Sequence, residues 1–477
     1  MSRINTNVSS MIAQRSLAKS QSALSNTLQR LSTGLRINSG ADDPAGLIAS
    51  ETLRSEIAGL NQAVDNSQRA TNVISTAEGA LNEVASMLLN IKSLTVQAAN
   101  SGALSPDEIA ANQLQIDSAV QSITRIANTT SFAGLNLING SLDYITSGVN
   151  NNQIRSLDIS QANFGTNPNI PVNINVITSG KTADLEFKAS SIVSSVTLTI
   201  TGNTGVQSLT FTSGAKVSAI AYAINGVADS TGVSAVLKNP ATLASGIIFN
   251  STGYGSKNFV SVTAQRGTFS TVNSTGNGVT RVNGVDAVAT VNGSLVTGEG
   301  LSLKVNTDNL NLDMTLDKTF GAGQLSFAIT GGGALFQLGG AVTSNQQVNI
   351  GIQSVAASKL GDFNNGFLND IVTGGASTLV EGHSETASKI IDIAINQVAV
   401  MRGRLGAFEK NTLQTNMNSL NVAVENVTSS ESSIRDADFA TETANLTRDQ
   451  ILTQAGTSVL ATANSTPQTV LSLLQGH

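Results

Sequence analysis

Residue types that carry catalytic or metal chemistry are absent or rare in this 477-residue sequence. It has no cysteine and no tryptophan, and its two histidines are His383 and the terminal His477. Without cysteine there is no disulfide, no thiolate metal site and no cysteine nucleophile. With only these two histidines, a Ser-His-Asp triad or a histidine-rich metal cluster is not expected. The composition therefore favours a structural protein over an enzyme, and we predict neither a cofactor nor a metal.

Charge is scarce as well. Lys and Arg number 26 against 32 Asp and Glu, a net charge of −6, and only 12% of residues are charged. With no basic stripe we expect no nucleic-acid partner, and with no long apolar run we expect no membrane insertion. Residues 1–30 lack the apolar core of a secretory signal. The protein is thus expected to be cytoplasmic or to leave by a route that reads no cleavable signal.

Composition changes twice along the chain. Aromatic residues are almost missing from both ends, whereas aromatics, glycine and threonine concentrate in the centre. We predict an α+β protein in which long coiled-coil-like helices from both termini pack as a rod around a β-rich central insertion of one or two small domains. The predicted parts are terminal helices at 1–40 and 436–477, a helical rod domain with a short β segment at 41–140 and 331–435, and a variable outer region at 141–330.

Apolar residues at both ends recur with helical spacing. The 55-odd residues after Pro44 have no further proline, and Asp42 or Asp43 is placed to cap that helix. Ser105-Pro-Asp-Glu108 predicts a capping box at the start of the next helix. Residues 1–41 contain cations and no acid, while acids outnumber cations over 425–477. Opposite charge therefore permits the two ends to pair, with apolar stripes supplying most of the energy.

The centre alternates apolar with polar residues, as half-buried strands do. Examples are Val172–Val176, Val196–Ile200 and Leu301–Val305. Between strands, Val217–Ile224 predicts a short helix, for which we expect Ala219, Ile220 and Ala223 to face inward.

Both ends carry specific sequence motifs. The N-terminal ones include Leu31-Ser-Thr-Gly-Leu-Arg-Ile-Asn38 and Asp42-Asp-Pro-Ala-Gly46, and the C-terminal ones include Ile434–Glu442 and Gln450-Ile-Leu-Thr-Gln-Ala-Gly-Thr-Ser-Val-Leu460. In these motifs both ends resemble the bacterial flagellins. Residues 217–236 are similar to the flagellin hook IN motif. The resemblance implies a subunit that self-polymerises into the flagellar filament, with its termini inside, its insertion outside, and residues 1–35 and 440–477 mobile in the monomer.

The resemblance also implies partners. These are further copies of the chain, an export chaperone that grips the C-terminal helix, and the filament cap and hook–filament junction proteins. It implies type III export and an extracellular location in the flagellum. The predicted polymerisation stripe consists of Ile4, Val8, Met11, Leu24, Leu28, Leu31, Leu35, Leu452, Val459, Leu460, Val470, Leu471 and Leu474.

Recognition by Toll-like receptor 5 is a further family property. The receptor-equivalent positions here are Leu88, Asn90, Leu94 and Gln115. Recognised members carry Arg and Glu where this chain has Asn90 and Gln115, so charge-assisted contacts are lost and weak recognition is expected.

Three other functions compete with a filament subunit. A hook–filament junction protein has terminal helices of the same type, and a flagellin-like adhesin would use the insertion. Some flagellins carry a metallopeptidase in the insertion, which requires HExxH. His383 has no second histidine four residues on, and scattered acids such as Asp184, Asp286 and Asp308 form no spaced constellation. We therefore expect no peptidase or glycosidase.

Overall fold

The computed structural model describes residues 6–165, 167–239, 246–307 and 309–475. The chain divides into two compact units. The first comprises Met1–Gln68, Gln337–Val342 and Thr412–His477, and the second comprises Arg69–Phe336 and Thr343–Asn411. Each unit is described by itself.

Eight α-helices lie in the described part of the chain. They are α1 (Val8–Thr33), α2 (Pro44–Ala98), α3 (Pro106–Thr129), α4 (Val217–Asn225), α5 (Ala228–Thr231), α6 (Ser384–Phe408), α7 (Thr415–Arg435) and α8 (Phe439–Gln475). A π-helical turn at Glu409–Gln414 follows α6 directly. A π turn contains one more residue than an α turn. It therefore shifts the spacing of the apolar residues of α7 relative to those of α6, which ends at Phe408.

The described strands are short and all lie between α3 and α6. They are β1 (Ser131–Phe132), β2 (Leu135–Asn136), β3 (Tyr144–Ser147), β4 (Ile154–Ala162), β5 (Ile170–Thr178), β6 (Thr182–Phe187), β7 (Val196–Thr201), β8 (Val206–Phe211), β9 (Val233–Leu237), β10 (Ile247–Tyr254), β11 (Phe259–Arg266), β12 (Arg281–Asn283), β13 (Val288–Val291), β14 (Ser294–Thr297), β15 (Ser302–Asn306), β16 (Leu310–Leu316), β17 (Gly323–Gly332), β18 (Ala334–Gln337), β19 (Gln347–Ile350), β20 (Gly361–Asp362) and β21 (Gly366–Phe367).

Two separate hydrophobic cores hold the four larger sheets. The first lies under the five-stranded sheet β14-β13-β5-β17-β3 and the three-stranded sheet β15-β16-β4. The second is built from β6-β10-β9, from β12-β11-β7-β8 and from α4, all within residues 182–283. The chain enters and leaves this second core at one point, where Lys181 and Val285 exchange backbone hydrogen bonds of 2.8 and 3.0 Å. We call this pair the neck.

The helices of the second unit bury one apolar face each. Leu81, Leu88 and Ile91 of α2 are fully buried, as are Ile116 and Ile123 of α3. The α6 stripe at 391, 394, 398, 401 and 405 is buried as its spacing predicts. On α2, the Lys92 ammonium reaches Ser388 and Asp392 of α6, at 2.6 Å each.

The predicted helix starts are confirmed. The Ser105 side chain accepts from the Glu108 backbone N–H, and the Glu108 carboxylate accepts from the Ser105 backbone N–H, which completes the capping box. The Asp43 carboxylate accepts from the Gly46 N–H at 2.9 Å and so caps α2. The α+β class, with long terminal helices and a β-rich centre, is confirmed as well.

The inward face predicted for α4 is wrong in part. Ile220 is buried, but Ala219 is exposed and Ala223 is only half-buried. The buried set is Val217, Ile220, Ala221 and Ile224. These residues follow the i, i+3, i+4, i+7 spacing from the first residue of the helix, which defines the true face.

Candidate assembly surfaces

Helices α1 and α8 pair along a seam in the first unit. On α1, seven of the nine buried or half-buried positions step alternately by three and four residues, which is the heptad spacing of a coiled coil. They are Ser10, Ala13, Leu17, Ser20, Leu24, Thr27 and Leu31. The matching α8 positions step in the same way and are Glu442, Leu446, Asp449, Thr453, Gly456, Leu460 and Ala463.

Polar contacts fix the register of this seam. The Thr27 hydroxyl lies 3.2 Å from the Asp449 carboxylate, which is buried, and the Arg30 guanidinium lies 3.3 Å from Glu442. Since low residue numbers on α1 meet high ones on α8, the helices run antiparallel. Polar groups at seam positions specify register at a cost in stability. The seam therefore favours one alignment more than it favours tight association.

At the other end of the pair, the Asn7 amide donates to the Ala463 carbonyl at 2.8 Å, and the Ser10 hydroxyl donates to Asn464 at 2.6 Å. Between the ends the helices approach closely: a Cβ on Gly456 would lie 3.2 Å from the Leu17 side chain. The seam residues that are fully buried are therefore small or polar, whereas its leucines are only half-buried.

Large apolar side chains remain exposed on both helices. On α1 they include Val8, Met11 and Ile12, each 57–60% exposed, and on α8 they include Ile451 and Val459, at 63% and 58%. Leu28, Leu452 and Phe439 are exposed as well. Runs of this kind on a soluble protein mark surfaces that a partner covers. We call these eight side chains the outer apolar face.

The structure separates the residues of the predicted stripe into two sets. Val8, Met11, Leu28, Leu452 and Val459 belong to the outer apolar face, whereas Leu24, Leu31, Leu35 and Leu460 are half-buried. Ile4 and the side chains of Val470, Leu471 and Leu474 fall outside the described residues.

Three members of the outer apolar face are not part of the stripe predicted from the sequence: Ile12, Phe439 and Ile451. An i+4 step from Val8 reaches Ile12, so helical spacing already contained that signal. Phe439 stands alone and Ile451 adjoins Leu452, so spacing did not single them out.

The receptor-equivalent positions do not share one surface. Asn90 and Gln115 are exposed, but Leu88 and Leu94 are buried in the second unit, at 0% and 8% exposure. The apolar side chains exposed beside them are Leu89, Val96 and Leu114.

A charged cluster lies where α6 meets β4. The Arg404 guanidinium lies 3.4 Å from the Asp158 carboxylate and donates to the Ser160 hydroxyl and the Gly351 carbonyl, at 2.7 and 2.9 Å. Burial raises the pKa of Asp158 although Arg404 opposes it, and burial together with the nearby Asp158 raises the pKa of Asp143. The cluster therefore connects α6 to β4, although burying its carboxylates is electrostatically unfavourable.

Neither a metal site nor a membrane span emerges where the structure is described. His383 is half-exposed and lies 3.8 Å from Glu381. Within those ranges no three His, Asp or Glu side chains are placed to hold a metal ion. No described helix combines the length and apolarity that crossing a bilayer requires. Asp308 falls outside the described residues.

The fold and these surfaces define the class of protein. It is a structural protein whose paired terminal helices present apolar faces for assembly. Three family models match the chain: the bacterial flagellin N-terminal helical region at residues 4–143, the C-terminal helical region at 388–474, and the flagellin hook IN motif at 197–253. The last encloses the segment 217–236 in which the sequence predicted it.

Relatives match over the whole chain. Flagellins of Salmonella rubislaw and Salmonella typhimurium are 32% and 33% identical, and the Escherichia coli K12 flagellin is 32% identical. Each comparison covers 99% of both chains. Among solved structures, the D2-D3 domains of the Escherichia coli flagellar cap protein match with 17% identity and a TM-score of 0.28, over 39% of this chain and 97% of that one.

The chain belongs to the bacterial flagellins. It is a structural subunit that self-polymerises into the filament of the bacterial flagellum, which serves swimming motility.

Proposed function

We propose that the outer apolar face is where neighbouring subunits bind during filament assembly. Its exposure is the observation that carries the proposal. Covering a Val, Leu, Ile or Met side chain completely contributes about 1.5–3 kcal/mol, so covering the exposed half contributes about 1 kcal/mol each. Several such side chains per subunit supply a driving force that the polar seam lacks.

The composition of the seam supports ordering on assembly. Because Ser10, Ala13, Thr27 and Gly456 bury little apolar surface, the α1–α8 pair gains little against the entropy of ordering two helices. We propose that both helices exchange their amide hydrogens rapidly in the free monomer and slowly in the filament. Strong protection of the pair in the monomer would contradict this.

Two aspartate substitutions test the outer apolar face. Ile12→Asp on α1 and Val459→Asp on α8 each place a carboxylate on it. Gln14→Asp and Gln454→Asp are matched controls, since they add the same charge at exposed positions of the same helices. We expect the first two to raise the critical concentration for polymerisation at least tenfold, and the controls to resemble the unmodified protein. Sedimentation and electron microscopy measure filaments, and circular dichroism checks folding.

Normal polymerisation of Ile12→Asp and Val459→Asp would refute the assignment of the face. The same assay separates the filament subunit from a junction protein, because only the former grows long filaments from purified protein. An adhesin role for the insertion would change neither the effect of the aspartate variants nor the growth of long filaments.

The remaining functional assignments follow the family. We propose export through the flagellar type III apparatus, an extracellular location, and a chaperone that covers α8 before assembly. Filament cap and hook–filament junction proteins are proposed partners at the two ends of the filament. The exposed Leu452 and Val459 support the chaperone assignment, since an amphipathic helix laid in a groove is a common recognition mode. Val459→Asp should therefore also weaken chaperone binding in a pull-down, whereas Gln454→Asp should not.

We propose weak recognition by Toll-like receptor 5 and no catalytic activity. Asn90 and Gln115 are exposed but neutral, so they provide no charge-assisted contact. A cell reporter assay on the monomer tests the receptor, and activation equal to that of a recognised flagellin would contradict weak recognition.

A further inference from the structure

A cleft in the second unit is lined by asparagine side chains. Its volume is about 400 Å³. Its described lining residues come from three parts of the chain that are distant in sequence: residues 163 and 167–173, residues 291–294, and residues 305, 307, 309 and 310. Each described residue that lines it is uncharged, and six are asparagines: Asn163, Asn167, Asn169, Asn173, Asn292 and Asn309.

Two of the asparagines build its walls. The Asn292 side chain ties the β13–β14 turn to β5, because its oxygen accepts from the Asn173 backbone N–H at 2.9 Å and its amide donates to the Pro171 carbonyl at 3.2 Å. Asn292 has a positive φ of 48°, which asparagine tolerates better than most residues. The Asn163 backbone N–H donates to the Asn309 carbonyl at 2.8 Å and closes the other side. The cleft is therefore already formed in the free chain.

The other four asparagines are available to a ligand. Asn167, Asn169, Asn173 and Asn309 are exposed, and their side-chain amides make no hydrogen bond to another described residue. Each amide offers two donors and one acceptor oxygen. Val291, Val305 and Leu310 are buried and supply an apolar part of the lining. Convergent polar groups over an apolar lining are typical of sites for small molecules.

We propose that this cleft binds a neutral saccharide. Sugar hydroxyls both donate and accept hydrogen bonds, as the four amides do, and the C–H faces of a sugar ring match the apolar lining. Phosphate or carboxylate ligands would call for arginine or lysine, and the described lining provides none. The volume lies within the usual range for small-molecule sites and accommodates about one or two sugar rings.

Saturation-transfer NMR on the full-length monomer tests the proposal. The probes are glucose, galactose, mannose and N-acetylglucosamine with their β1,4-linked disaccharides, and glucuronate serves as a charged counterpart. We expect transfer to at least one neutral sugar, with millimolar affinity, and little to glucuronate. Asn167→Ala/Asn309→Ala and Asn167→Ala/Asn169→Ala should each weaken that affinity at least fivefold. Asn151→Ala, an exposed asparagine outside the cleft, is the matched control and should change nothing.

Three results would overturn the proposal. They are no transfer to any neutral sugar of the panel, unchanged affinity in both double variants, or an equal loss in Asn151→Ala. Unchanged circular dichroism and thermal midpoints would show that the variants fold. Tighter binding of glucuronate than of every neutral sugar would also refute it, because it would assign the cleft to anions.

Discussion

At the scale of single residues, the aspartates around Arg404 are partly buried carboxyl groups, and burial makes their ionisation less favourable. Asp158 and Asp143 both have raised pKa values because burial penalises their ionised forms. Asp313 lies directly opposite Asp158 across the β16–β4 pair, which adds like-charge repulsion. Arg404 offsets part of this cost and connects α6 to the sheet.

The raised pKa of Asp143 predicts a pH dependence of stability. When the folded pKa exceeds the unfolded one, the folded state holds more protons, so stability falls as pH rises from about 3.8 through the folded pKa. Asp143→Asn removes the charge, and its oxygen can still accept from the Tyr144 N–H. The free energy of unfolding should therefore rise relative to the unmodified protein by up to about 1 kcal/mol at pH 7, a value limited by partial exposure, and less at pH 4.

Denaturant unfolding at the two pH values measures this difference. Asp65→Asn, at an exposed aspartate of α2, is the control. A gain in stability for Asp143→Asn that is equal at pH 4 and pH 7 would contradict the assigned cause.

At the scale of elements, local signals define where helices begin and end. The Ser105–Glu108 box starts α3, and Gly34, with a left-handed φ of 71°, ends α1. Just beyond Gly34, the Arg36 backbone N–H donates to the Arg435 carbonyl at 2.7 Å and the Ala437 N–H donates to the Gly34 carbonyl at 2.9 Å. These bonds anchor the end of α1 beside the end of α7.

Removing the α3 cap should destabilise the second unit. Ser105→Ala leaves the Glu108 backbone N–H without its acceptor, and loss of such a cap costs about 1 kcal/mol. We expect a thermal midpoint lower by about 1–2 °C, measured by circular dichroism. Ser101→Ala, in the preceding turn, is the control. Equal midpoints for both variants would show that the box contributes nothing to stability.

At the scale of the whole molecule, the chain enters and leaves the second β core at the neck, and loop contacts such as the 3.0 Å hydrogen bond from the Ser256 backbone N–H to Asp286 also join it to the first core. Because the residues of the second core lie within 182–283 and the chain closes at the neck, its removal leaves the first core with all its own members. Replacing residues 182–284 by Asn-Gly, which favours a tight hairpin turn, should therefore give a folded protein that still polymerises.

Electron microscopy of the shortened protein tests this expectation. A chain that ends at residue 435, and so lacks α8, is the contrasting variant and should form no filaments. If the shortened protein folds but does not polymerise, the second core takes part in assembly.

Much of the helical architecture was predictable because it depends on local chemistry. Proline, aspartate and serine at helix starts act on neighbouring backbone groups, and a repeat of three and four residues identifies a helix from sequence alone. The hook IN motif was likewise predicted in place. The inward face of α4 was only partly predicted, because several alanines are compatible with more than one orientation.

The candidate surfaces depended more on tertiary structure. The sequence pattern predicts that Val8, Leu24 and Leu28 belong to one polymerisation stripe. In the structure, Leu24 lies in the seam while Val8 and Leu28 are exposed. Spacing defines which residues share a helix face, but the partner helix decides which face is buried. The seam itself was hard to predict because Ser10, Thr27 and Asp449 are polar.

By itself, the sequence determined the starts and caps of α2 and α3, the β-rich centre and the family, since these depend on short-range interactions and on motifs. Tertiary structure alone decided that polar residues pair α1 with α8, that apolar residues are left outward, and that three distant segments enclose the asparagine cleft. The physical reason is that burial depends on which surfaces meet in space. Scarcity of cysteine, histidine and charge excluded several chemistries, whereas the packing of the chain decided where its remaining polar groups act.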